Sequence, residues 1–204
     1  MPATKLIIEA PLSEKRVLLH ACCAPCSSAI VEVLLQNGIV PTIFYSNSNI
    51  TPRREYDIRY NECLRYAQSL GVELVCDEYD HEAWLSAVKG MENFPERGPR
   101  CLECFKFRLL RAADYAARHD FKVLTTTLAS SRWKSLQQVN EAGTFACAQT
   151  NTSLPPERQL IWWDRNWRKD GLQERRGEII REMNFYNQLF CGCEYTVPPP
   201  RLAV

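Results

Sequence analysis

Seven of the ten cysteines in this 204-residue chain fall in three tight groups: Cys22-Cys23-Ala24-Pro25-Cys26, Cys101-Leu102-Glu103-Cys104 and Cys191-Gly192-Cys193. A thiol spent on packing gains nothing by standing beside another thiol. Soft thiolates brought together bind zinc, hold an iron–sulfur cluster or exchange electrons as a dithiol/disulfide pair. Cys22 and Cys23 follow an apolar run, and Cys101 and Cys104 follow Gly98-Pro99-Arg100. Both positions open a helix, where unpaired backbone N–H groups favour thiolate over thiol. Two adjacent cysteines in a tight turn can ligate two irons of one cluster but suit a single tetrahedral zinc less well. Cys22, Cys23, Cys101 and Cys104 would thus complete a [4Fe–4S] cluster. Zinc bound by the same four thiolates, or unligated thiols, remain the alternatives at this level.

Cys191-Gly192-Cys193 poses a different problem. Two cysteines separated by one glycine close a disulfide only in a strained small ring, and strained disulfides are the labile, catalytic ones. The alternatives are two further metal ligands or coincidence at a helix end. Cys26 is open between a thiol beside the cluster, a ligand to another metal and a helix-face residue. Cys63, Cys76 and Cys147 stand alone on apolar faces and read as core packing.

The elements that must position these groups alternate. Val17–Ala21, Val40–Tyr45, Val72–Cys76 and Lys122–Leu128 read as strands, with Gln159–Trp163 as a fifth. Helices are predicted from Pro25 to Gln36, from Thr51-Pro52 to Leu70, and over His81–Lys89 and Leu102–Arg118. Two more cover Trp133–Ala148, weakened at Gly143, and most of Gly171–Phe190, which delivers the last cysteine group. This alternation gives an α/β fold, a mostly parallel sheet with helices on both faces. Ligand sites in such sheets lie outside the carboxyl ends of the strands. Residues 16–197 read as a single α/β catalytic domain, with 1–15 as an N-terminal extension and 198–204 as a tail after Pro198-Pro199-Pro200.

Hydrophobic residues make up 46% and charged residues 24% of the chain, the balance of a globular protein. No apolar run approaches the roughly 18 residues of a membrane helix, and Met1–Arg16 lacks the pattern of a signal peptide. A cytoplasmic location is therefore expected, where clustered cysteines favour metal or catalysis over a disulfide scaffold.

Taken in order, Leu19-His20-Ala21-Cys22-Cys23-Ala24-Pro25-Cys26, Tyr45-Ser46-Asn47-Ser48-Asn49-Ile50, the Cys101/Cys104 pair, Thr125-Thr126-Thr127-Leu128 and Tyr186-Asn187-Gln188-Leu189-Phe190-Cys191-Gly192-Cys193 resemble the epoxyqueuosine reductases of the QueH family. The resemblance runs from about Arg16 to Thr196 and implies reductive removal of the epoxide oxygen of epoxyqueuosine at the wobble position of tRNA. It also implies a HUP-like (Rossmann-like) fold, a [4Fe–4S] cofactor on Cys22, Cys23, Cys101 and Cys104, a redox-active Cys191/Cys193 disulfide and no cobalamin. The partners would be tRNA carrying epoxyqueuosine and an unidentified external electron donor, with no membrane. A second iron, held by cysteine and aspartate, is associated with the family; Cys26 and Asp80 are the candidates for it here. Where many members carry Ser-Pro-Tyr-Lys, this chain has Ser130-Ser131-Arg132-Trp133-Lys134, which keeps the serine and lysine and alters the local substrate wall.

A tRNA substrate calls for a basic face. Arg53, Arg54 and Arg59 begin one helix, Arg100, Lys106, Arg108 and Arg111 surround the second cysteine pair, and Arg165, Arg168 and Lys169 accompany Trp162, Trp163 and Trp167. Arginine on phosphate and indole on a base would suit a splayed anticodon loop; core tryptophans on a solvated basic face are the alternative. His20 reads as a satisfied core histidine, with donation to a sulfur or a proton-transfer path as the alternative, and His119 as a surface residue compensating a helix C-terminus. Ser130, Ser131 and Lys134 either line the site or cap a helix. Two rival functions remain. An ATP-using tRNA-modification enzyme of the HUP type is disfavoured because cysteines replace any glycine-rich phosphate loop after the first strand. A zinc-binding RNA-interaction module would be colourless and iron-free.

Overall fold

Short apolar runs and amphipathic helices condense, in the computed structural model, around a five-stranded sheet; the structure describes residues 6–196. The predicted 198–204 tail lies outside the described residues. In chain order the elements are β1 (Arg16–Ala21), α1 (Ala24–Gln36), β2 (Val40–Tyr45), α2 (Arg53–Ser69), β3 (Leu74–Cys76) and α3 (His81–Ala87). These are followed by α4 (Pro99–Arg118), β4 (Val123–Thr126), α5 (Leu136–Asn151), β5 (Ile161–Trp162) and α6 (Leu172–Glu182). The strands run in the order β3-β2-β1-β4-β5 and every pairing is parallel, which bears out the expected Rossmann-like α/β arrangement.

Handedness assigns the layers. Right-handed crossovers from β1 to β2 to β3 place α1 and α2 on one face, and the reverse step to β4 and β5 places α4 and α5 on the other. Accordingly α4 packs on α5 and α1 packs on α6. β1 is central and buried on both faces, so Val17-Leu18-Leu19 reads as a continuous apolar run rather than an alternating one. Ahead of β1, Ile8 and Ala10 are buried, and the Asn37 side chain ties down the backbone N–H of Ile8 and the carbonyl of Leu6.

Three differences from expectation bear on the site. The last helix stops at Glu182 instead of running to Phe190. Asn184 adopts φ = 47°, its N–H bonds the carbonyl of Arg181, and the Phe185 N–H reaches back to Ile180. That is a Schellman termination with asparagine in the left-handed position and Phe185 buried behind it. Residues 183–196 therefore follow an irregular path. Gly143 does not weaken α5: a Cβ there would lie 2.2 Å from the Trp162 ring, so the glycine admits the indole. Cys76, expected in the core, is exposed because β3 is a short edge strand; its thiol contacts the Tyr56 hydroxyl at 3.3 Å.

Candidate functional site: two cysteine groups on one cavity

Strand order reverses between β1 and β4, which opens a crevice at their carboxyl ends. The chain leaves β1 into the first turn of α1, where Pro25 occupies a position whose N–H would have no partner anyway. That turn gathers the Cys22, Cys23 and Cys26 sulfurs within 4.8 Å of one another, with Cys22 Sγ and Cys23 Sγ 3.8 Å apart. The Cys22 N–H donates to Thr127 Oγ1 at 3.1 Å, and the Thr127 hydroxyl faces Cys22 Sγ at 3.4 Å. Hydrogen bonds from Cys23 and Cys26 hold the Cys22 thiol well below its usual range, against burial and helped by Arg108. Cys22 is thus the thiolate of the trio. Cys23 is pushed up as the partner that keeps its proton, and Cys26 is pushed up to about 12 chiefly by its bond to Cys22. The Gln188 amide donates to Cys23 Sγ at 2.8 Å, and Arg176 Nη2 lies 4.0 Å from Cys26 Sγ.

The second group is assembled from distant parts of the chain. Cys101 sits in the first turn of α4 and accepts from the Arg97 N–H at 3.3 Å. Cys104, one turn on, is buried in a small apolar cluster with Trp84, Val88 and Cys193. The loop carrying Cys191 and Cys193 is fastened by Arg59, whose guanidinium donates to the carbonyls of Cys191 (2.9 Å) and Phe190 (3.2 Å). Glu55 holds that guanidinium from behind at 2.8 Å, and the Tyr186 hydroxyl donates to the other Glu55 oxygen at 2.8 Å. Gly192 has φ = 109°, and a Cβ there would lie 3.0 Å from Arg59 Nη1 and 3.1 Å from Ile50. Only glycine fits this turn.

Lys134 Nζ contacts Cys191 Sγ at 2.7 Å. A hydrogen bond from Cys193, together with the Lys134 ammonium, holds Cys191 well below the ordinary thiol range despite burial. Cys193, as the bonded partner, is pushed up. The Cys191 anion raises Lys134 in turn, outweighing burial. Among the described residues no cysteine is joined in a disulfide, Cys191 and Cys193 included.

Cys22, Cys26, Lys134 and Cys191 all line one cavity of about 890 Å³. The close trio is therefore Cys22/Cys23/Cys26, while Cys101 and Cys104 stand with Cys191 and Cys193 on the α4 side. Asp80 is elsewhere: it is the N-cap of α3, its carboxylate accepting from the Ala83 N–H at 2.9 Å, and it does not line the cavity. His20 is fully buried, bonded to Thr126 Oγ1 (2.7 Å) and the Ser46 carbonyl (3.1 Å). Burial, then Arg108, lowers its pKa to about 3, the neutral core histidine expected. His119 is exposed and stacks on Tyr115.

Much of the expected basic face is internal. Besides Arg59, Arg100 is buried against the carbonyls of Met91, Glu92 and Phe94, and Arg108 against Ser46 and Asn47. Arg111 pairs with Asp77 and Arg165 with Asp170. Trp163 and Trp167 are core residues and Trp162 packs on Gly143. Sequence reasoning did not single out Arg59 as a loop anchor, nor Glu55, Gln188 and Arg176. The Glu55/Arg59 spacing of four residues on one helix was the available signal for an internal pair.

A family model described as "Epoxyqueuosine reductase QueH" matches residues 17–198. Among curated relatives, the epoxyqueuosine reductase QueH of Haemophilus influenzae is 42% identical over 190 residues, covering 93% of this chain and 75% of that protein. The protein of the same name from Acinetobacter baylyi is 41% identical over 197 residues, covering 97% and 87%. That from Thermotoga maritima is 27% identical over 184 residues, covering 89% and 90%.

Proposed function

The chain belongs to the epoxyqueuosine reductase QueH family, and on that footing we propose how its cysteines divide the work of an oxidoreductase acting on epoxyqueuosine in tRNA. Removing the epoxide oxygen leaves a carbon–carbon double bond and consumes two electrons and two protons. The Cys191 thiolate and the Cys193 thiol supply the two electrons as they join in one disulfide, Cys193 and the Lys134 ammonium supply one proton each, two C–O bonds break, and the oxygen leaves as water. An external reductant then restores the dithiol. Lys134 holds Cys191 as thiolate and stands 2.7 Å from it as a proton source at the cavity wall.

Cys22, Cys23, Cys101 and Cys104 are the proposed ligands of a [4Fe–4S] cluster, with Cys26 the residue next to hand for an additional iron. The donor chemistry fits at Cys22 and Cys23, soft sulfurs gathered with Cys26 and with Cys22 favoured as thiolate, and Cys101 and Cys104 are the pair that would complete the set from the first turns of α4. When bound, such a centre supplies single-electron transfer and a Lewis acid for oxygen. Gln188, on Cys23, and Arg176, near Cys26, would stabilise negative charge on those sulfurs. Asp80 is left out of the proposal because its carboxylate caps α3 away from the cavity. No cobalamin enters this scheme, and cytoplasmic residence agrees with a tRNA substrate. No helix among the described residues is long and apolar enough to cross a membrane.

The observation that carries this reading is the Lys134–Cys191 contact at the wall of the cavity that Cys22 and Cys26 also line. Metal analysis of anaerobically purified protein tests the ligand assignment: brown protein with iron and sulfide is expected. Colourless zinc-loaded protein from the same anaerobic preparation would favour the RNA-binding module instead.

A further inference from the structure

The 131–135 turn presents a part of the cavity rim that is basic and carries an exposed indole. Trp133 is 65% exposed and lines the cavity, although large indoles are usually covered. Its backbone is not loose. Arg97 donates to the carbonyls of Arg132 (2.9 Å) and Trp133 (3.0 Å), and Arg168 donates to that of Lys134 (2.8 Å). Arg132 sits over the indole at 5.1 Å.

On the other side of the same turn lies a groove of about 570 Å³ lined by Arg97, Arg132, Lys134 and Arg168, with Glu141 as its carboxylate. Among the described residues, none of the three guanidiniums forms an ion pair. Arg168 Nε is buried without a hydrogen-bond partner. Burial, and then the neighbouring Arg97, depress Arg168. Like charges held together with unused donors are a site that an external anion would relieve.

We propose that Trp133 and the Arg97/Arg132/Arg168 groove form the RNA-docking rim of the active site, the indole stacking on a base and the guanidiniums holding the phosphates of an adjoining nucleotide. This rests on the tRNA reading above. An RNA fits better than an acidic electron-donor protein because the groove shares Arg132 and Lys134 with the cavity. A nucleotide flanking the reacting one reaches both without a second docking site. An exposed, backbone-anchored indole suits the sequence-tolerant stacking of unpaired bases.

The test is binding of epoxyqueuosine-containing tRNA to the full, iron-loaded chain as salt is varied. Trp133→Ala should weaken binding about tenfold, and Trp133→Tyr should recover most of the loss. Arg132→Gln and Arg168→Gln should each lower the slope of log K against log salt by about 0.7. Arg158→Ala, at an exposed pair with Asp120 by the start of β4, should change neither, and thermal melting checks that every variant is folded. Wild-type affinity and slope in Trp133→Ala and Arg132→Gln would overturn the proposal. So would unchanged tRNA affinity with slowed reduction by an acidic donor protein, which would make the groove a donor site. Epoxide conversion by wild type, measured separately, distinguishes the two levels: conversion with an indifferent groove sinks only this proposal. The predicted binding effects without conversion sink only the reductase chemistry.

Discussion

The two cysteine groups of this molecule are built by opposite means. The Cys22/Cys23/Cys26 trio needs only five residues of chain after the end of β1, a proline in the first helical turn and a threonine from the neighbouring strand end. The Cys101/Cys104/Cys191/Cys193 group needs α4, the 131–135 turn and a loop that arrives last in sequence, held by a buried Glu55–Arg59 pair. The first is fixed by local geometry, the second by long-range hydrogen bonds. The trio, the proposed metal-binding corner, is thus fixed by its own short stretch of chain, while the loop carrying Cys191 and Cys193 depends on contacts that a single substitution can loosen.

Substitutions separate the two regions, beginning with the most damaging. Cys22→Ala removes the thiolate around which the trio is organised, so iron content and turnover should both fall to background, as read by metal analysis and conversion of modified tRNA. Lys134→Met should leave iron content near wild type and lower turnover at pH 7 about a hundredfold. Without the ammonium the Cys191 pKa rises, its thiolate fraction at pH 7 falls, and its alkylation profile should move to higher pH. An unshifted profile would remove Lys134 from the account. Gly192→Ala forces a Cβ at φ = 109° against Arg59 and Ile50. Turnover should drop about tenfold with iron unchanged, because only the loop is strained.

A further effect, on stability rather than turnover, concerns the strand end between the two groups. His20 is neutral in the fold, with a pKa of about 3 against an ordinary 6.5. Its contribution to stability is complete above pH 6.5 and is lost as the pH falls toward 3. Denaturant unfolding of metal-free protein should show about 3 kcal/mol of this loss by pH 4. His20→Gln, which has no proton to gain, should flatten that slope.

The sequence was most legible where structure is local. Val17–Ala21 and Val40–Tyr45 could only be buried parallel strands, and Pro25 marked the start of α1. The same locality made the nearness of Cys22 and Cys23 readable, while Cys26, left open in the sequence, joins them only in the fold. What failed was long-range or depended on a single backbone angle. The apolar spacing through Phe185 continued the helical pattern, so the left-handed turn at Asn184 was hidden, and with it the loop that carries Cys191. Arg59, Arg100 and Arg108 looked like phosphate ligands because a guanidinium buried against carbonyls has no signature of its own in sequence. Trp133 was placed inside a helix. It lies one turn outside α5, whose N-cap is Ser135, and that displacement is what exposes it.

The division of labour between the two regions is tested most directly by one side-by-side assay: anaerobically reconstituted wild type and Cys191→Ser, each given epoxyqueuosine-containing tRNA and excess reductant, with product and visible absorbance followed together. Wild type should convert epoxyqueuosine to queuosine, while Cys191→Ser should keep the absorbance of its iron–sulfur centre and form no product. Conversion by Cys191→Ser at the wild-type rate, or loss of the absorbance with that one thiol, would contradict the account.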